Sequence, residues 1–478
     1  MTDLRSYQLE AIDKIEQSKS ALYVLPTGGG KTVIASAVIE RAVQRGERVL
    51  VLTHRREILK QTSLKLPIEH GLIQAGLNID LEYPVQVASV QTLWARCMRT
   101  DKLSLPVANL IIIDEAHHVG ARTWRLILDE YPNARRLGLT ATPCRGDGRG
   151  LGNYFDDLIE GPQIPELIGT KHLVPTVYYA PANPDLLGVE TRQGDYVVSQ
   201  LADRMNRNDL VGDIVSNWHK LAQRRKTLVV CIDVAHSVHI KDEFVKSGVR
   251  AEHVDGSTPK SERDAILARL ASGETELVAN CMVLTEGFDL PAISCIVLAR
   301  PTKQLRLFRQ MAGRGLRPAA GKHNLVLIDH AGAVFRHGLL EDPVAWTLDV
   351  TKTAKNQAHE SRNQQATSRL IECSQCGALR KGGEPCPHCG FQPKRRPDAI
   401  IFREGELARV DHKSRQPVQS SDPHDRMRLA CHAHVHRYRA RLQAWLGGSQ
   451  VSRKVRQLAA SAVHRPATTI GGSPVVGP

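Results

Sequence analysis

Two short runs in this sequence combine residue types that handle phosphate. Pro26-Thr27-Gly28-Gly29-Gly30-Lys31-Thr32 follows an apolar segment and precedes an amphipathic one. Consecutive glycines let a backbone curl until several N–H groups face one anion, and the N-terminus of the next helix adds partial positive charge. Thr27, Gly28, Gly29 and Gly30 then form the cradle, Lys31 reaches the β- and γ-phosphates of ATP, and the Thr32 hydroxyl binds Mg2+. In the second run, Leu110-Ile111-Ile112-Ile113-Asp114-Glu115-Ala116-His117, an apolar strand ends in adjacent carboxylates. Ligands bind at that end of a parallel strand, so Asp114 is expected to hold Mg2+ and Glu115 to polarise an attacking water. A chance glycine turn and a surface pair of acids are the plain alternatives. The strand–loop–helix setting and the apolar residues before Asp114 weigh against both.

A third run, Gln310-Met311-Ala312-Gly313-Arg314-Gly315-Leu316-Arg317, sets two arginines three residues apart, on one face of a helix. Reaching phosphates bound by another domain, they would neutralise transition-state charge, an effect worth on the order of 10³-fold or more in rate. A solvated basic helix is the bland reading.

Elements able to position these groups are legible between residues 20 and 330. Short apolar runs at 22–25, 49–52, 110–113, 137–139, 228–232, 296–298 and 325–328 alternate with amphipathic stretches. One of these is 32–44, where Val33, Ile34, Ala37, Val38 and Ala42 recur at helical spacing. Such alternation implies parallel sheets covered by helices, an α/β fold. The series occurs twice, with a Pro/Gly-rich passage at 181–194 between. We expect two tandem RecA-like domains at 1–175 and 206–350, a linker at 176–205, a polar linker at 351–371, a small zinc ribbon at 372–396, and a basic, partly disordered tail at 397–478.

At 478 residues, with 42% apolar and 24% charged residues, the composition is that of a soluble multidomain protein. The net charge of +14 is uneven: residues 351–478 hold 22 Lys/Arg against 9 Asp/Glu, leaving 42 against 41 in the rest. A basic appendage favours a polyanionic partner such as nucleic acid, and a solvated tail is the other reading. No apolar run is long enough to span a membrane, and the first residues lack a signal peptide's apolar region. Six of the ten cysteines are scattered, which points to a reducing cytoplasm rather than a disulfide framework.

Asp114-Glu115-Ala116-His117 resembles the signature of DEAH-box proteins in helicase superfamily 2, and further motifs keep that family's order across residues 5–317. A strict P-loop has Gly where Leu25 stands; Gly28 in mid-loop is the variant seen in this superfamily. Arg5 and Gln8 resemble its adenine-reading motif. The run 53–59 and the run 89–93 resemble motifs Ia and Ib, which implies nucleic-acid contacts for Thr53, Arg55, Gln91 and Thr92. The run 139–143 is similar to motif III, which implies that His117, Thr140 and Thr142 couple hydrolysis to strand movement. In the second half, Asp255-Gly256-Ser257-Thr258 with Arg263 resembles the stretch after motif IV, and 284–289 resembles motif V. That implies Thr285 on nucleic acid and Gly287 and Asp289 on the nucleotide. Residues 310–317 resemble motif VI, which implies catalytic roles for Gln310, Arg314 and Arg317. The run 229–232 departs from the family, where Phe is common near Cys231; this touches packing rather than chemistry.

Cys373-x-x-Cys376 and Cys386-x-x-Cys389 lie nine residues apart, each pair followed by glycine. Two such knuckles make a tetrahedral thiolate site for Zn2+, with redox pairs or unligated thiols as the alternatives. His388 is expected at the surface. Arg380, Lys381, Lys394, Arg395 and Arg396 suggest a nucleic-acid grip, or a protein-docking platform. The His-rich run at Cys431, His432, His434 and His436 has no second ligand pair. A motor core with this ribbon resembles the RadD-like branch of these helicases. The function expected is ATP-dependent unwinding or translocation on single-stranded or forked DNA, in repair or recombination. An RNA helicase, a duplex translocase and a nucleic-acid-binding adaptor with a vestigial ATPase remain as alternatives.

Overall fold

A computed structural model describes residues 4–350 except 55–58, 60–62, 64–65, 67, 146–147, 181–185, 187, 193 and 286–289, together with 370–382 and 384–392. The chain divides into units 1–395 and 396–478, and the basic tail and His-rich run fall outside the described residues.

Seven strands form the first sheet: β1 (Ser20–Val24), β2 (Val49–Thr53), β3 (Gly71–Ile73), β4 (Val85–Ser89), β5 (Leu110–Asp114), β6 (Arg135–Thr140) and β7 (Asp157–Glu160). Their order is β3-β4-β2-β5-β6-β1-β7, and every pairing is parallel. Successive side chains of a strand face opposite sides, and helices cover both, so the strands read as continuous Val/Ile/Leu runs. Ile112 thus packs into one core with the phosphate-loop helix Lys31–Gln44, while Ile111 and Ile113 pack into the core on the other side. That helix turns a slightly different face inward than expected: Ile34, Ala35, Val38, Ile39 and Ala42 are buried, whereas Val33 and Ala37 are partly exposed.

The second sheet has the order β12-β13-β11-β14-β15-β8, again all parallel. Its strands are β8 (Thr176–Tyr179), β11 (Thr227–Val230), β12 (Ala251–Val254), β13 (Leu277–Asn280), β14 (Cys295–Leu298) and β15 (Leu325–Asp329). The helix Lys260–Ser272 starts after Pro259 and stops at Gly273, whose φ of +93° suits glycine. Among the described residues no helix is long and apolar enough to cross a membrane.

The described residues of 176–205, a segment expected to be a linker, are part of the second domain. The chain passes between sheets after Glu160, because Ile164, Leu167, Leu173 and Val174 already pack in the second core, and β8 then forms the sheet edge. Downstream, the hairpin of β9 (Thr191–Arg192) and β10 (Asp195–Tyr196) and the helix Val198–Met205 close a small core of Tyr196, Leu201, Met205 and Ile232. Asp195 anchors the hairpin by accepting bonds from the Thr302 hydroxyl (2.9 Å) and the Lys303 N–H (2.7 Å). Gly188 and Gly194, at φ +84° and +81°, therefore mark turns within a folded segment, while Pro181 and Pro184 lie outside the described residues.

Past the helix Ala333–His337 the chain returns to the first domain. Gly150 and Gly152 donate to the carbonyls of Asp349 (3.3 Å) and Leu348 (2.8 Å), and Trp346 packs against the cores of both domains. This strap is a second tie between the sheets. Finally β16 (Leu370–Glu372) and β17 (Leu379–Lys381) pair antiparallel. They carry the cysteine cluster against β8: Cys373, Ala378 and Cys386 share a core with Val177, Tyr179 and Trp218.

Candidate nucleotide site and cysteine centre

The phosphate loop runs from the end of β1 into the helix Lys31–Gln44, with Gly28 at φ +88° and Gly30 at φ +98°. Both values lie in the left-handed region that side chains avoid, so two of the three glycines are needed by conformation. Close neighbours exclude side chains as well. A Cβ at Gly30 would stand 2.7 Å from Gln8 Nε2, and one at Gly28 would stand 2.9 Å from Arg317 Cγ. Gln8 is buried against the loop and accepts the Arg5 N–H at 3.0 Å. Tyr7, which sequence reasoning passed over, donates its hydroxyl to the Gly29 carbonyl at 2.7 Å and receives the Arg5 guanidinium at 2.8 Å. An aromatic inside the Leu4–Gln8 motif was the available signal. The Lys31 ammonium donates to the Leu25 carbonyl at 2.9 Å.

Asp114 ends β5, and the chain turns sharply there because Glu115 adopts φ +52°, a strained value for a residue with a Cβ. The Glu115 N–H donates to Asp114 Oδ1 at 3.0 Å, and Glu115 Oε2 is buried with no hydrogen bond. His117 Nδ1 lies 3.4 Å from that oxygen and 3.3 Å from Thr140 Oγ1. Thr140 uses its own proton on the Thr142 carbonyl (3.1 Å) and accepts the Thr142 N–H (3.1 Å). A hydroxyl with its proton committed can only accept, so the proton between His117 and Thr140 sits on His117 Nδ1. His117, Thr140 and Thr142 are buried together, joining the carboxylate strand end to the run after β6.

From the second domain, the helix Leu305–Gly313 and the turn Arg314–Leu316 face this loop. Gly313 approaches Thr27, where a Cβ would be 3.5 Å from the threonine's own, and the Arg317 stem covers Gly28. Gln310 is buried, with its Oε1 accepting from Arg306 at 3.2 Å. Burial holds the Lys31 amine below its usual range; Glu115 and Asp114 oppose this, and Arg314 and Arg317 add to it. Three cations and two carboxylates thus share one partly buried crevice, an excess of positive charge suited to a polyanion. The positive-φ glycines, the crowded cations and the buried Glu115 oxygen fit a nucleotide with Mg2+.

Other expected residues are not brought to this site. Thr53 is fully buried at the end of β2, and Thr92 is buried with its hydroxyl accepting the Ala75 N–H at 3.2 Å. Interior packing withdraws both side chains from a surface where nucleic acid could meet them. Gln91 is exposed and donates to the His54 carbonyl at 2.9 Å, linking the two runs, while His54 stacks on His118 with ring centres 4.4 Å apart. Arg55, Gly287, Asp289 and the side chain of Thr285 lie outside the described residues.

The four cysteine sulfurs of Cys373, Cys376, Cys386 and Cys389 lie within 4.8 Å of one another, and the pairs 373/389 and 376/386 are each 3.7 Å apart. Zinc with four thiolates at about 2.3 Å separates neighbouring sulfurs by about 3.8 Å, so the cluster fits that ion. The glycine after each pair closes its knuckle: Gly377 donates to the Cys373 carbonyl (2.8 Å) and Gly390 to that of Cys386 (2.9 Å). His388 is exposed, edge-on to Tyr179. The expected grip loses two members, since Arg380 is buried on the Lys381 and Glu384 carbonyls and Lys381 pairs with Asp342 at 3.0 Å. Lys394, Arg395 and Arg396 lie outside the described residues.

Residues 1–145 match the family described as the res subunit of type III restriction enzymes, and residues 207–319 match the helicase conserved C-terminal domain. A 51.5 kDa protein of a Lactococcus phage is 31% identical over 74% of this chain and 74% of its own length. The yeast protein IRC3, described as an ATP-dependent helicase of Saccharomyces cerevisiae, is 36% identical over 69% of this chain and 52% of its own. A DNA 3'-5' translocase, XPB2, of Sulfurisphaera tokodaii is 24% identical over 66% of this chain and 79% of its own. The chain therefore spans about half of the yeast relative. Among solved structures, a fragment described as an HsdR subunit of a type I restriction enzyme from Vibrio vulnificus shares the fold, with a TM-score of 0.55 and 23% identity over 70% of this chain and 65% of that one.

Proposed function

The chain belongs to the superfamily 2 helicases, ATP-hydrolysing enzymes, and from that premise we propose that it is a motor acting on DNA. One observation carries the reading: Arg317 of the second domain lies against Gly28 of the first, so the ATP site is built from both. In this reading the loop 27–32 cradles the phosphates, with Lys31 between them and the carboxylates of Asp114 and Glu115. Thr32 and Asp114 would hold Mg2+, which would supply charge neutralisation on the phosphate oxygens. Glu115 orients the attacking water through the oxygen that has no hydrogen bond of its own, and Arg314 and Arg317 offset the charge that develops. Their arrival from the second domain ties turnover to interdomain closure, and the His117–Thr140–Thr142 network passes the state of Glu115 to the adjacent strand end. Gln310, buried on the helix that leads to the arginines, completes this set.

DNA as the track is supported by the relative that is a DNA 3'-5' translocase and by the basic residues concentrated beyond 350. The four-cysteine cluster, which would hold Zn2+, supports together with the motor core placement in the RadD-like branch and a role in repair or recombination. The test is ATP hydrolysis by the purified chain alone and with single-stranded, duplex or forked DNA or RNA, beside Lys31→Ala. Stimulation by a DNA form, lost in the variant, is expected. Stimulation by RNA alone would move the track to RNA, and Lys31-independent hydrolysis would overturn the site.

A further inference from the structure

A lysine outside every motif sits where the arginine face is anchored. After Arg317, which is extended (φ −66°, ψ 137°), the chain turns through Pro318 and Gly321, the latter at φ +73°, and the Lys322 N–H closes the turn on the Ala319 carbonyl at 3.1 Å. This folds the Lys322 side chain back beneath its own turn. The ammonium then donates to three carbonyls: Arg317 at 2.7 Å, Pro291 at 3.1 Å, and Ile293. An ammonium has three protons, and here each finds an acceptor on the main chain. Two of those acceptors lie in the connection from residues 284–289 to β14, and the third is the carbonyl of the arginine that covers the phosphate loop.

We propose that Lys322 is a positioning residue for hydrolysis, fixing the Arg317 backbone so that its side chain stays against Gly28. The proposal rests on the ATP site described above. Three observations support it. Among the described residues no carboxylate is paired with Lys322; its contacts are to main-chain carbonyls, unlike those of an ordinary surface ion pair. Burial, with Arg317 and Arg225 nearby, pushes its amine down to about 7, so the group is held in place against a cost to its charged form. The Arg317 stem also has no slack, since a single added carbon at Gly28 would meet it. Loosening the turn therefore moves the guanidinium, and displacements near 1 Å in a catalytic group cost on the order of 10²-fold in rate.

The test is DNA-stimulated ATP hydrolysis by the full chain as wild type, Lys322→Met, Arg317→Ala and the double variant, with thermal unfolding measured on each. Lys322→Met is expected to lower kcat about 10-fold or more while KM for ATP stays within about 2-fold, the signature of an interaction made only in the transition state. In the Arg317→Ala background it should add no further loss. Losses that multiply in the double variant, or an unchanged kcat in Lys322→Met, would overturn the proposal. Should Lys322→Met not fold, Gly321→Ala takes its place: it has open space but strains the same turn, and the same pair of readouts decides. Hydrolysis that survives Lys31→Ala would instead overturn the site itself, so the two failures are distinguishable.

Discussion

His117 Nδ1 lies 3.3 Å from the hydroxyl oxygen of Thr140, which ends β6, the neighbour of the strand β5 that leads into His117. The bond joins the residue beside the proposed water-orienting carboxylate to the run that leaves β6, and all of it is buried. Replacing Thr140 by Val keeps the shape and removes the acceptor. A lost buried hydrogen bond of about 1.5 kcal/mol corresponds to about 10-fold in rate, so nucleic-acid-stimulated turnover should fall by that order. A stimulated rate equal to wild type would show that the contact carries no coupling.

Gly28 is required by conformation and by its neighbours. Alanine there would hold a left-handed φ at a cost of about 1–2 kcal/mol and meet both Arg317 and Leu173 at 2.9 Å. Gly28→Ala should therefore lose about 10²-fold in ATP turnover, with far-UV circular dichroism unchanged. Near-normal turnover would mean that Arg317 does not approach the loop in the working enzyme.

The cysteine hairpin shares its core with Tyr179 and Trp218 of the motor domain, so a metal bound there stabilises more than the hairpin. One zinc per chain is expected by elemental analysis. Stripping it with a chelator, or replacing Cys376 by Ser, should lower the melting temperature of the second domain by several degrees. A metal-free preparation that melts as the loaded one does would separate the ribbon from the motor's stability.

His236 and His330 are interior residues of the second domain, and burial pushes both down to about 4. A histidine of depressed pKa is neutral when folded but takes up a proton once unfolded, so the unfolded state binds more protons below its ordinary value near 6.5. Stability is thus lost as pH falls from about 6.5 toward about 4, by a few kcal/mol in all. Urea unfolding followed at pH 7 and pH 5 should show a lower midpoint at pH 5, and His330→Gln should reduce the difference. Equal midpoints at the two pH values would remove these histidines as its source.

The chemistry of this protein is largely written in local sequence. A glycine loop between strand and helix, an apolar strand ending in Asp114 and Glu115, and paired Cys-x-x-Cys knuckles depend on neighbours a few residues away. Backbone geometry and hydrogen bonding over that range leave few alternatives. Tertiary structure decided what depends on distant partners. It buried Thr53 and Thr92, which in sequence are indistinguishable from exposed threonines, and it tied Arg380 and Lys381 into the ribbon and its neighbour instead of leaving them to bind phosphate. It added 176–179 to the second sheet as its edge strand, returned Trp346 to the first domain, and set Arg317 over Gly28 and Lys322 beneath Arg317. Some of these contacts, Arg317 on Gly28 and Trp346 on the first domain among them, join segments far apart in the chain, and a residue's burial is set by the surface it meets rather than by its own neighbours.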